Sequence, residues 1–175
     1  HGPEGFLPTN NWDSGVLEDY MNIAGTTITK TILKTRETCF GCAVRCKGVV
    51  EVPGKADPEY GGPEYETIAT FGSYCGVSDL NAIALANQLC NQYGIDTISC
   101  GATIAWAMEC FEQGKLTLED TGGIDLHFGN ADSMVKIIEM IAKREGFGNI
   151  LAEGSAAAAR VIGRGSEDNL IVSKN

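Results

Sequence analysis

The chain has 175 residues, of which 43% are hydrophobic and 21% charged, and its formal net charge is −10. That length can bury a real core as a single domain, and the acidic balance argues against nucleic acid, whose phosphates would repel it. No apolar run reaches the roughly 20 residues of a membrane span, so no membrane role is expected.

All five prolines fall within the first 63 residues, and the character of the chain changes there. Residues 1–62 read as loop-rich and residues 63–175 as helical. The Gly/Pro-rich opening, residues 1–8, lacks a starting methionine and reads as part of something longer. A first helix is predicted over residues 14–33, weakened by the β-branched run Thr26-Thr27-Ile28-Thr29. A cysteine loop follows, then a short strand over residues 48–52 and an irregular acidic loop over residues 53–62. Pro63 suits the first position of a helix reaching about residue 71, with Glu64 and Glu66 in its first turn, where the macrodipole favours anions.

Ser78 or Asp79 caps the next helix, whose apolar residues Leu80, Ile83, Leu85, Ala86 and Leu89 recur at helical spacing until Gly94 ends it. Asp96 or Thr97 opens another, through Ile104, Ala105, Met108 and Phe111, stopping before Gly114. Residues 117–130 read as loop. Asp132 or Ser133 caps an amphipathic helix through Ile141 that closes at Gly146, and an alanine-rich helix spans residues 150–162. Five or six helices with short links make an all-α, multihelical domain.

Three thiols, Cys39, Cys42 and Cys46, are spaced C-x-x-C-x-x-x-C. Short loops let successive sulfurs face a common centre, which suits one face of an iron–sulfur cube and leaves one corner for a fourth ligand. Radical enzymes that use S-adenosylmethionine have the reverse spacing. A structural zinc knuckle needs four ligands, usually as two separated pairs, and there is no second C-x-x-C. Seven cysteines, an odd number, disfavour a disulfide framework. Cys75, Cys90, Cys100 and Cys110 stand singly in apolar stretches and read as small buried hydrophobes. Free thiols in this number favour a reducing, oxygen-poor cytoplasm.

Two further stretches carry chemistry. In Gly61-Gly62-Pro63-Glu64-Tyr65-Glu66-Thr67 the carboxylates are two apart and do not share a helix face, so one at most aims at a given ligand. Capping and dipole stabilisation explain the same acids, while the two glycines allow close backbone approach. In the stretch from Asn91 to Ser99, Gly94 suits a helix stop and Asp96 the next N-cap. The Asp96 and Asn91 side chains can also hydrogen-bond a planar heterocycle, and both readings hold together. His127, in a glycine-rich loop, reads as a surface histidine.

Taken in order, these stretches resemble the aldehyde ferredoxin oxidoreductases, tungsten (sometimes molybdenum) enzymes with a bis-pterin cofactor beside a 4Fe-4S cluster. The resemblance runs from Leu7-Pro8-Thr9-Asn10-Asn11-Trp12 through the cysteine trio, Gly62-Pro63-Glu64-Tyr65-Glu66-Thr67 and Gly72-Ser73-Tyr74-Cys75-Gly76. It continues through the Asn91 junction to Ile141-Ala142-Lys143-Arg144-Glu145-Gly146 and Leu151-Ala152-Glu153-Gly154. It implies that Cys39, Cys42 and Cys46 ligate the cluster, the fourth ligand coming from a later domain. A glutamate near the metal then acts as acid or base, Glu66 in preference to Glu64. The family's pterin motif falls on Asn91, Gly94, Ile95 and Asp96, with Thr97 beside it; asparagine replaces the motif's first aspartate, so Asp96 is the firmer contact. Arg45, between two cluster cysteines, can tune the cluster or stand in solvent.

The implied reaction is oxidation of an aldehyde to a carboxylic acid, with electrons leaving singly through the cluster to ferredoxin or another electron-transfer subunit. The remaining domains of a larger enzyme are implied partners, as is an oligomeric assembly. A close alternative is a benzoyl-CoA-reductase-type subunit, which runs the same cofactors reductively on an aromatic thioester. An alternative of another class is a small iron–sulfur or zinc-stabilised helical module for electron transfer or interaction.

Overall fold

Three of the main helices begin where a short polar side chain reaches forward to orphaned N–H groups. In the computed structural model, which describes residues 4, 5 and 7–172, Asp79 accepts from the backbone N–H of Asn81 and Ala82 and opens α3 (Leu80–Tyr93). Asp96 accepts from Ser99 N–H at 2.7 Å and opens α4 (Thr97–Glu112). Asn130 accepts from Ser133 N–H and opens α5 (Ala131–Lys143). The α5 cap thus lies two residues before Asp132, because the Asn130 side chain already satisfies the first turn. Gly94 ends α3 in the left-handed conformation, as its sequence position suggests.

The predicted helix over residues 14–33 survives only in part. A single 3₁₀ turn, Tyr20–Ile23, precedes α1 (Gly25–Thr31). Residues beyond it become β1 (Leu33–Glu37), paired antiparallel with β2 (Lys47–Val50). The residue register runs from Leu33 opposite Val50 to Glu37 opposite Lys47, with an irregularity between Leu33 and Thr35. Only Leu33 of β1 is even partly buried, so the strand has no alternating apolar signature and exists because β2 pairs with it.

The helix predicted from Pro63 starts later, as α2 (Tyr65–Ile68) with Glu64 as its N-cap, and continues into a π-helical turn, Ala69–Ser73. The alanine-rich helix predicted over residues 150–162 is two helices, α6 (Gly146–Leu151) and α7 (Ser155–Ile162). The chain turns at Gly154, whose φ of 85° no continuous helix accommodates. A last 3₁₀ turn, Ser166–Asn169, lies against α4 and α7.

The main core gathers Phe71, Ile83, Ile104, Trp106, Met108 and Ile138, all fully or almost fully buried, between α3, α4 and α5. A smaller one joins the hairpin to the start of α3 through Ile32, Val50, Val52, Leu80 and Ala84. The Trp106 indole N–H donates to Ser166 C=O at 2.9 Å, so the largest core side chain also ties down the last turn. No buried side-chain nitrogen or oxygen among the described residues lacks a hydrogen bond. Among them no helix is long and apolar enough to cross a membrane.

Candidate functional site

The hairpin carries the cysteine trio in the loop between its strands, where Cys39, Cys42 and Cys46 are all exposed and free of disulfides. Cys42 N–H donates to Cys39 C=O at 3.0 Å, which curls the first two thiols into a tight turn. The Thr38 hydroxyl also donates to Cys42 C=O. Arg45 turns back to the hairpin, its Nε and Nη2 donating to Arg36 C=O at 3.2 and 2.6 Å. Its guanidinium therefore closes the loop.

The donor chemistry of the loop fits three ligands of an iron–sulfur cluster: three thiols at close spacing with no competing disulfide. Among the described residues no three metal-ligating side chains converge on one point. The loop is thus a source of ligands without a finished cage.

The other cysteines are buried. Burial pushes the thiol of Cys75 well above its usual range and that of Cys110 up to about 12. A hydrogen bond with Cys90, then burial, raises Cys100. These are inert core thiols, as their isolated apolar positions suggest.

Gly61 and Gly62 make the close approach that their sequence allows, and the partner is β2. Val50 N–H donates to Gly61 C=O at 3.1 Å, and a Cβ on Gly62 would fall 2.7 Å from Gly48 O. The preceding Tyr60 C=O accepts from the Asn91 side-chain amide at 3.4 Å, and that amide also caps Asn87 C=O at 3.0 Å. On the far side of the turn the Thr67 and Thr97 hydroxyls hydrogen-bond at 2.8 Å. The cysteine hairpin, the glutamate turn and the α3–α4 junction therefore form one continuous framework.

Two hollows flank that framework. The larger, about 580 Å³, is walled by Pro8, Trp12, Tyr65, Tyr74 and Ile98, with Glu66 on its surface. Glu64, exposed at the α2 N-cap, is not part of this wall. The smaller, about 340 Å³, brings Ile95, Asp96 and Ser99 beside Glu153 and Gly154. Asp96 uses Oδ1 for its cap, and Asn91 spends its amide N–H on backbone carbonyls, which leaves carboxylate and amide oxygens for the edge of a planar heterocycle. The oxygens left over are hydrogen-bond acceptors, which suit the N–H edge of a pterin, and of the two side chains Asp96 lines the smaller hollow while Asn91 does not.

Trp12 and Tyr74 carry no chemical signal in the sequence beyond their place in the resemblance. They meet edge to face with centroids 5.5 Å apart. Burial pushes the Tyr74 hydroxyl pKa up and the neighbouring Tyr65 adds to this, while a hydrogen bond with Trp12 pulls the other way. Trp12 is the last of three consecutive residues, with Asn10 and Asn11, at φ of 51°, 51° and 72°. Asparagine tolerates this region, but tryptophan does not choose it, at a cost of roughly 1–2 kcal/mol.

The sequence matches the family described as aldehyde ferredoxin oxidoreductase, domains 2 and 3, over residues 2–175. It is 41% identical over 153 residues to the tungsten-containing aldehyde ferredoxin oxidoreductase of Pyrococcus abyssi, covering 86% of this chain and 25% of that protein. Identity to the enzyme of the same name from Pyrococcus furiosus is 38% over 160 residues, 91% of this chain and 26% of that protein. The aliphatic sulfonate oxidoreductase, WOR-like subunit, of Pyrococcus furiosus is 31% identical over 137 residues, 76% of this chain and 22% of that one. Among solved structures, the active-site complex BamBC of benzoyl coenzyme A reductase with 1,5-dienoyl-CoA superposes with a TM-score of 0.73 at 26% identity. That match covers 95% of this chain and 25% of the other. The chain spans about a quarter of the length of the curated relatives it matches, and it belongs to the aldehyde ferredoxin oxidoreductase family.

Proposed function

We propose that these residues form the part of a tungsten bis-pterin enzyme that presents a proton-transferring carboxylate and three cluster ligands to an aldehyde oxidation. The observation that carries this reading is the single framework joining the cysteine hairpin, Glu66 and the Asn91–Thr97 junction. Overall, aldehyde and water become carboxylic acid, two protons and two electrons. The bound metal centre and cluster supply the coupling of two-electron chemistry to one-electron transfer. Cys39, Cys42 and Cys46 would supply three ligands of a 4Fe-4S cluster, with the fourth from outside this segment, and Arg45 fixes the loop that carries them. Asp96, with Asn91, binds the polar edge of the pterin, while Gly94, Ile95 and Thr97 shape the junction.

Glu66, on the wall of the larger hollow, takes up the proton released as the aldehyde carbon gains oxygen. Glu64 stands at the α2 N-cap position without a side-chain capping hydrogen bond and lies off this wall. Electrons leave to ferredoxin or a similar acceptor, and the remaining domains of the enzyme close the site. Glu66→Gln in the full-length enzyme is expected to lower kcat by roughly 10²–10⁴-fold with tungsten content unchanged. Wild-type turnover in that variant would move the proton role to Glu64.

The likeness to the benzoyl coenzyme A reductase complex, together with the aromatic walls of the hollow, favours a second reading, reduction of an aromatic thioester. Assaying benzaldehyde oxidation against benzoyl coenzyme A reduction separates the two.

A further inference from the structure

The chain has two tryptophans, and they are treated oppositely. Trp106 is 1% exposed with its indole hydrogen-bonded in the core, whereas Trp12 is 52% exposed. An exposed tryptophan on a loose loop would carry little meaning, but Trp12 is clamped. Asn10 and Asn11 N–H donate to Ser73 and Tyr74 C=O, both at 3.0 Å, which fixes the loop to the π-helical turn. The buried Asn11 amide donates to Glu109 at 2.6 Å and to Asn169 C=O at 2.9 Å, anchoring it from behind. A left-handed backbone at Trp12 and the Tyr74 ring against its edge complete the restraint. Strain held by this many contacts in a cavity wall marks a position whose side-chain direction matters.

The direction is into the 580 Å³ hollow, on the wall that also carries Glu66. That size lies within the range of small-molecule sites, roughly 300–1,000 Å³. Tyr65, Tyr74 and Ile98 supply further flat or apolar surface, and Thr70 and the acidic Glu66 and Glu4 are the polar lining. Such a cavity favours a planar ring over a short alkyl chain, because a rigid aromatic face stacks without losing side-chain entropy.

We infer that the cavity beside Glu66 accepts a flat aryl carbonyl compound, an aromatic aldehyde, stacked against Trp12, and that Trp12 sets this preference. The inference rests on the assignment of Glu66 as the proton-transferring group, and it adds the substrate class and the residue that selects it. The occupant is an aryl ring bearing a reactive carbonyl next to the carboxylate.

The test compares full-length, metal-loaded wild type with Trp12→Ala and Trp12→Phe. In Trp12→Ala the ratio of kcat/KM for benzaldehyde to that for acetaldehyde should fall by roughly tenfold or more, and Trp12→Phe should keep most of it. Calorimetry with benzoate and acetate, which needs no turnover, should show benzoate binding weakened selectively by the alanine variant. If Trp12→Ala does not accumulate folded, Tyr74→Leu removes the same wall and should lower the same ratio. An unchanged ratio, both aldehydes losing in proportion, would overturn the inference and place Trp12 against another part of the enzyme. Trp12-dependent benzoate binding without aldehyde turnover would preserve the aromatic wall while sinking the oxidative reading. Trp12-dependent reduction of benzoyl coenzyme A would keep the wall and assign it to the aromatic thioester.

Discussion

On the proposed reading, one side chain, Asp96, serves fold and site together. Its Oδ1 caps α4 through Ser99 N–H, and the same carboxylate borders the smaller hollow. The two uses are separable. Asp96→Asn keeps an N-cap as good as aspartate and should leave stability nearly unchanged while lowering pterin and tungsten content. Asp96→Ala should lose about 1 kcal/mol of stability as well, measured by thermal or denaturant unfolding. The cap was legible in the sequence because an Asp or Thr after a glycine turn has a local meaning. Trp12 was not legible: three successive left-handed residues arise from hydrogen bonds to carbonyls more than sixty positions away, and no local pattern reports them.

At the scale of elements, α4 and the π-helical turn meet where Gly101 faces Thr70. A Cβ at Gly101 would lie 2.6 Å from Thr70 Cβ and 2.9 Å from its backbone carbon, so the helices cannot part without moving main chain. Gly101→Ala should therefore destabilise by about 1–3 kcal/mol in denaturant unfolding, even though alanine is the better helix former. Since Thr70 accepts that approach while its hydroxyl reaches toward Thr97 C=O at 3.3 Å, the same variant should disturb the geometry beside Glu66. Helices α3 and α4 were legible from caps and apolar spacing, and α5 from its apolar spacing alone, its cap lying at Asn130 and not at Asp132 or Ser133. The β1 strand and the break between α6 and α7 were not, because one depends on a partner strand and the other on a backbone reversal inside an alanine-rich stretch.

For the molecule as a whole, the negative balance is arranged in discrete ion pairs as well as free carboxylates. Arg164 grips Asp120 with Nη1 at 2.7 Å and Nη2 at 3.2 Å, joining the long loop to the end of α7. Hydrogen bonds from Arg164, then from Thr117, hold the Asp120 carboxyl down at about 2, against an ordinary 3.8. A depressed carboxylate contributes stability above its ordinary value and loses it as the pH falls through the folded one. Thermal unfolding should thus show wild type more stable than Asp120→Asn at about pH 5, with the difference shrinking toward about pH 2.

On the proposed reading the cysteine loop supplies three of the four cluster ligands. Phe40 and Val44 stand exposed in the cysteine loop, which on that reading suits a face that meets the rest of a longer enzyme. The most direct test of the account is metal analysis of the full-length protein purified without oxygen, beside its Cys42→Ser variant. The account predicts tungsten and about four irons per chain in the wild type, with the iron and its paramagnetic signal lost from the variant. Zinc in place of both metals, or iron unchanged by Cys42→Ser, would contradict it.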